Sequence, residues 1–129
     1  HYQLGGKVVE GQRQGRLLGF PTANLAMKKN NILPLGVYAA LAEISDGEKI
    51  PCALNIGHRP TMQNRDPSLS VEAHLINWEG DCYGQRIRIT PIQHMRPEKH
   101  FASRQELTDQ IRDDVKNCRQ VLLKRSTAE

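Results

Sequence analysis

Between residues 37 and 92, apolar side chains recur at every second position in short runs separated by turn residues, with no helical spacing anywhere in the stretch. Val37, Ala39 and Leu41 alternate with Tyr38, Ala40 and Ala42 after a Pro34-Leu35-Gly36 turn. Asp46-Gly47 then turns the chain into Ile50–Ile56, so 37–56 reads as a β-hairpin. Val71, Ala73 and Leu75 alternate with Glu72, His74 and Ile76; Glu79-Gly80-Asp81 turns; Ile87 and Ile89 are set against Arg86, Arg88 and Thr90. Successive strand side chains point to opposite faces, so each run offers a face for burial. Strands joined by turns, with no helices between them, restrict the fold to an antiparallel barrel or sandwich. Pro51 and Pro91 lack a ladder donor and belong at edges or bulges, and Lys7-Val8-Val9 adds another strand-like run between glycines.

Near the C-terminus the period changes. Ser103 and Glu106 have capping-box spacing. Leu107, Ile111, Val115, Cys118 and Leu122 follow on one face of a helix of about five turns. The opposite face is charged, so this helix is expected to lay its stripe against the outside of the barrel.

The 129 residues fit one domain, 1–129, and 38% hydrophobic with 25% charged residues is a globular composition. No apolar run approaches a bilayer span. Cys52, Cys82 and Cys118 show neither CxxC spacing nor a disulfide framework, a pattern of reducing compartments such as the cytoplasm. His58, His74, His94 and His100 lack zinc-ligand spacing. The net charge of +4 is spread along the chain; it suits anionic ligands without demanding nucleic acid. Aromatics are few, and none pair at i, i+2 along a strand, which counts against a platform for single-stranded nucleic acid. The abrupt start at His1 is consistent with a module that has a further domain upstream.

The chemistry is concentrated in Gly15-Arg-Leu-Leu-Gly19-Phe20-Pro21-Thr22-Ala23-Asn24-Leu25-Ala26. Gly11, Gly15 and Gly19 recur every fourth residue, a spacing that is neither the Walker nor the dinucleotide pattern. Pro21 stiffens the backbone, and an extended 22–24 segment sends Thr22 and Asn24 to the same side. Two neutral oxygen donors beside a loop rich in backbone N–H groups suit a hydrated magnesium–phosphate group, although the same residue types also build ordinary turns. Glu72 is the acid best placed to accept a proton, because it sits in mid-strand where acids are depleted; the competing reading is a solvated sheet face. Asp46, Glu48, Glu79 and Asp81 lie in turns, where acids are commonplace. His74 stands roughly 7 Å further along the strand than Glu72 and reads as packed or solvated. Arg59-Pro60 and Arg96-Pro97 place arginines beside stiffened turns, where they either grip a substrate or simply face water. Trp78, Tyr83 and Phe101 are available for stacking, though lone aromatics usually belong to a core.

The segment Gly15–Asn24 resembles the glycine-rich loop and Pro-Thr-Ala-Asn signature of riboflavin kinases. The likeness continues through Leu33–Tyr38, Asn55–Thr61, Val71–His74, Asp81–Gly84 and Met95–Glu98, in the family's order. It implies a six-stranded antiparallel Greek-key barrel with a C-terminal α-helix packed outside. It also implies transfer of the ATP γ-phosphoryl group to the ribityl 5′-hydroxyl of riboflavin, giving FMN and ADP. Thr22 and Asn24 align with residues that reach Mg²⁺ (or another divalent ion such as Zn²⁺ or Mn²⁺) and the phosphates. Gly15 to Gly19, Arg16 included, falls on the flap over the nucleotide, Phe20 and Pro21 join it in nucleotide binding, Glu72 falls on the catalytic carboxylate, and Arg96 near the flavin. The Gly-Phe-Pro-Thr-Ala-Asn form is similar to the bacterial type, in which this module follows an FMN adenylyltransferase domain. The expected partners are ATP and riboflavin, with no nucleic acid or membrane, and the expected state is a monomer. The alternative is a non-catalytic flavin- or nucleotide-binding module on the same barrel.

Overall fold

The computed structural model describes residues 3–9, 22–26, 33–45, 47–58, 69–78 and 83–127. Among these, six strands and one helix follow in chain order: β1 (Leu4–Val9), β2 (Thr22–Ala26), β3 (Gly36–Ile44), β4 (Lys49–His58), β5 (Leu69–Leu75), β6 (Arg86–Arg96) and α1 (Arg104–Thr127). The strands close into a barrel in the order β1-β2-β5-β4-β3-β6, with every neighbouring pair antiparallel. β3, β4 and β5 form a meander and β6 returns beside β3, which is Greek-key connectivity. The six-stranded barrel implied by the resemblance is therefore the observed fold.

Period-2 alternation decides what fills the barrel. Leu4 and Val8 of β1, Leu25 of β2, Leu54 and Ile56 of β4, Leu75 of β5 and Ile89 of β6 all point inward and pack in one buried cluster. Fully burying each such side chain contributes about 1.5–3 kcal/mol. A second cluster lies outside the wall, where Val37, Ala39 and Ala53 meet Ile111, Val115, Cys118 and Leu122 of α1. This is why β3 is apolar on both faces. Ala39 and Ala53 are cross-strand partners, and their small side chains leave a flat floor on which the helix can sit.

Three local features differ from the sequence expectations. α1 has 24 residues rather than about five turns, because its last turns need no apolar stripe; Lys124 and Arg125 suit the negative end of the helix dipole there. The cap is offset: Glu106 N–H donates to Ser103 Oγ at 3.2 Å, but the Glu106 carboxylate accepts from Ala102 N–H at 3.1 Å, one residue early. Arg96 is the last residue of a strand rather than part of a turn, since β6 continues through Pro91 as far as Arg96. It does so by register shifts between Ala39/Ala40 and Val37/Tyr38, irregularities that absorb the missing proline donor and re-aim the strand end. Gly36 begins β3 with φ +138°, and a Cβ there would run into the Arg96 carbonyl and His94 Nε2. Only glycine fits beneath the end of β6.

Candidate active site

Once Ala23, Leu25, Val71, Ala73, Leu54 and Ile56 face inward, Thr22, Asn24, Glu72, His74 and Asn55 must face outward. The strand register then sorts them into two rows across the wall. Asn24 pairs with Glu72 and Glu72 with Asn55, followed by Val37 and then Arg96. One step along, Thr22 pairs with His74, His74 with Ala53, and Ala53 with Ala39. Directly opposed residues in such ladders hold their Cβ atoms about 4.5–5.5 Å apart.

The 96–103 segment and the start of α1 rise over this face and enclose a pocket of about 440 Å³. The strands line it with Asn24, Asn55, Glu72, His74 and Val37; the overhanging segment and helix line it with Phe101, Leu107 and Ile111 together with the polar Lys99, Ser103, Arg104 and Asp114. Among the described residues, the buried polar or charged side chains are Asn24, Glu72, His74 and Asp114, and all four line this pocket. Burying such groups is costly, and perturbed or buried polar groups converging on a cleft mark a functional site.

Glu72 is only 8% exposed, so the solvated-face reading of its strand does not hold. His74 is buried as well; desolvation lowers its pKa to about 4 against an opposing pull from the Asp114 charge, so the ring is neutral near pH 7. Asp114 accepts from Arg96 Nε at 2.9 Å and from Arg96 Nη2 at 2.7 Å, a bidentate pair joining β6 to α1. Gln110 Nε2 donates to the same carboxylate at 3.0 Å, and Lys99 Nζ donates to Gln110 Oε1 at 3.4 Å, tying the overhanging segment to the helix. Gly57 leaves open the space that Glu98 overhangs, whose carboxyl carbon lies 3.7 Å from where a Cβ would stand.

Asn24, Glu72 and Arg96 thus line one pocket; Thr22 is not a lining residue but pairs across the sheet with His74, which is. Gly15, Arg16, Gly19, Phe20, Pro21 and Arg59 lie outside the described residues. Phe101 lines the pocket, Trp78 packs against the barrel core and Tyr83 is exposed. Asn55 and Asp114 carry no site expectation from the sequence, and His74, which the sequence reads as packed or solvated, lines the pocket as a buried residue. Asp114 did leave a signal: an acid lying between Ile111 and Val115 on the apolar stripe of the helix. Buried thiols contribute no nucleophile here, since burial pushes Cys52 up and Cys118 up to about 12. Among the described residues, no three His, Cys, Asp or Glu side chains are grouped to hold a metal. No helix among the described residues is long and apolar enough to cross a membrane.

Residues 1–122 match the family model for flavokinase, that is, riboflavin kinase. The chain is 37% identical over 118 residues to the bifunctional riboflavin kinase/FMN adenylyltransferase of Pseudomonas fluorescens, covering 92% of this chain and 37% of that relative. Among solved structures it is similar to riboflavin kinase from Trypanosoma brucei, with TM-score 0.68 and 29% identity over 95% of this chain and 77% of that one. It is also similar to a structure described as a macrolide-efflux protein from Streptococcus pneumoniae, with TM-score 0.73 and 28% identity over 87% of this chain and 36% of that one. The chain spans little more than a third of the length of the curated relatives it matches.

Proposed function

The chain belongs to the riboflavin kinase family, and from that membership we propose that it transfers the ATP γ-phosphoryl group to the 5′-hydroxyl of riboflavin, yielding FMN and ADP. The observation that carries this reading is Glu72, a carboxylate buried on the strand side of the pocket between Asn24 and Asn55. It accepts a hydrogen bond from the 5′-hydroxyl, aims that oxygen at the γ-phosphorus, and takes its proton late in the transfer. The neutral amides on either side do not compete with its charge. Leu107, Ile111 and Phe101 supply apolar contacts that suit the flavin ring, while the strand face suits the hydroxyl-bearing chain. Arg96, with two of its nitrogens committed to Asp114, offers the flat face of its guanidinium to that ring.

The donor set also fits magnesium. Thr22 and Asn24 supply hard, neutral oxygens from one face of β2, and an ion held by so few protein ligands keeps phosphate and water oxygens, as Mg²⁺ prefers. When bound, the ion neutralises phosphate charge. From the resemblance, Gly15, Arg16, Gly19, Phe20 and Pro21 contribute to nucleotide binding and Arg59 to substrate binding. The module works as a cytoplasmic monomeric unit beside an FMN adenylyltransferase domain, the pairing named in its relatives.

Incubation with Mg-ATP and riboflavin, followed by chromatography, should yield FMN. Glu72→Gln should retain flavin and nucleotide binding but lose about 10²–10⁴-fold in turnover. Near-normal turnover removes Glu72 from the mechanism. Binding of both ligands by the unaltered chain without FMN formation favours the non-catalytic module.

A further inference from the structure

Arg96 ends β6, Asp114 lies in the middle of α1, and both line the pocket. Every nitrogen of the guanidinium is bonded: Nε to Asp114 Oδ1 at 2.9 Å, Nη2 to Asp114 Oδ2 at 2.7 Å and Nη1 to the Pro97 carbonyl at 3.0 Å. These N–H donors lie in the plane of the group, so bonding all three nitrogens fixes that plane. Asp114 is held in turn, since Gln110 Nε2 donates to its Oδ1 at 3.0 Å. The Arg96 side chain is nevertheless 22% exposed, against 9% for that of Asp114. A ligand in the pocket therefore meets the guanidinium, and the carboxylate acts from behind it.

Charge matters as much as angle. Arg96 stands at the opposite end of the cross-strand row that begins with Asn24, with β5, β4 and β3 between them. A bare arginine is a strong receptor for phosphate. Paired with a carboxylate it carries no net charge, its fork is largely occupied, and its flat face remains free to stack on an aromatic ring. We propose that Asp114 is a positioning residue that sets ligand specificity. By fixing and neutralising Arg96, it makes this end of the pocket a stacking plate for the uncharged flavin ring and denies it to phosphate groups. This rests on the riboflavin reading above and adds to it a residue that touches no substrate.

The test uses the full chain and three probes: riboflavin, lumiflavin (the ring system without the ribityl chain) and inorganic tripolyphosphate. Flavin binding is followed by fluorescence quenching, and KM for Mg-ATP by FMN formation. Asp114→Asn keeps the size and one acceptor oxygen but removes the charge and the second bond to Arg96. It should weaken riboflavin and lumiflavin by the same factor, about fivefold, because both carry the ring, and leave KM for Mg-ATP unchanged. Tripolyphosphate should displace lumiflavin from this variant and not from the unaltered chain. Arg96→Met/Asp114→Leu, which leaves no unpaired charge, should also bind both flavins about fivefold more weakly, without becoming sensitive to tripolyphosphate. Unchanged lumiflavin binding in Asp114→Asn, a parallel rise in KM for Mg-ATP, or no displacement by tripolyphosphate overturns the proposal and leaves the pair a fastener. If Asp114→Asn does not fold, the double variant decides, and lumiflavin binding as tight as in the unaltered chain overturns the proposal. An unaltered chain that quenches neither flavin sinks the riboflavin reading and this inference with it; one that binds both flavins and makes FMN confines any failure to the inference alone.

Discussion

Replacing Asp114 by alanine removes three hydrogen bonds at once, from Arg96 Nε (2.9 Å), Arg96 Nη2 (2.7 Å) and Gln110 Nε2 (3.0 Å). It strands the Arg96 guanidinium in a site where its side chain is 22% exposed. Removing one partner of a buried ion pair costs about 3–5 kcal/mol, chiefly because the remaining charge is left uncompensated. Arg96 keeps one bond, from Nη1 to the Pro97 carbonyl at 3.0 Å, and keeps some contact with water. Those two features place this case at the lower end, about 3 kcal/mol. Against a typical domain stability of about 5–15 kcal/mol that is a large fraction, and it lowers the melting midpoint by roughly 10 °C. Urea titration followed by far-ultraviolet circular dichroism and Trp78 fluorescence measures it, with the slope of the transition expected to stay unchanged. The double variant Arg96→Met/Asp114→Leu strands no charge and should recover most of the loss. A loss under about 1 kcal/mol for Asp114→Ala, the range of exposed ion pairs, refutes the claim that this bridge fastens the helix to the barrel.

The folded-state pKa of His74 lies near 4 against 6.5 for the free side chain, so the unfolded chain takes up this proton first as the pH falls. Stability should therefore be complete above about pH 6.5 and decline towards pH 4 by up to about 3 kcal/mol, a slope that urea midpoints detect and that His74→Leu should flatten. Gly36→Ala should cost about 2–3 kcal/mol in the same assay, since it forces a side chain onto a φ of +138° and into the Arg96 carbonyl. Asn24→Ala should raise the magnesium concentration needed for half-maximal FMN formation while leaving riboflavin binding unchanged; an unaltered magnesium requirement removes Asn24 from the metal site.

Much of the fold can be read in the residues, because burial imposes a period on them. The alternation of Val71, Ala73 and Leu75 and the spacing of Leu107, Ile111, Val115, Cys118 and Leu122 are records of which side faces apolar neighbours. Element ends are less legible. Pro91 does mark its bulge, but the final turns of α1 and the end of β6 at Arg96 depend on solvent exposure and strand pairing rather than on a repeated pattern. Within the site, Glu72 and Asn24 stand out because an acid and an amide interrupt strands. Asn55 and His74 do not, since each is an ordinary residue until something is placed opposite it; Asp114 stands out only as an acid on the apolar stripe of the helix, and its partner Arg96 comes from another element.

The identity and side of the polar residues followed from the chain alone: alternation sends Thr22, Asn24, Glu72 and His74 outward as surely as it sends Leu25 and Val71 inward. Their convergence did not. It required β2 to pair with β5 rather than with β3, which sets Asn24 against Glu72, and it required α1 to lie across the same wall, bringing Asp114 to Arg96. Local sequence controls a residue's direction through backbone geometry. Its neighbours are chosen by closure of the barrel, because every strand edge must find a partner and the apolar face of the helix must find cover.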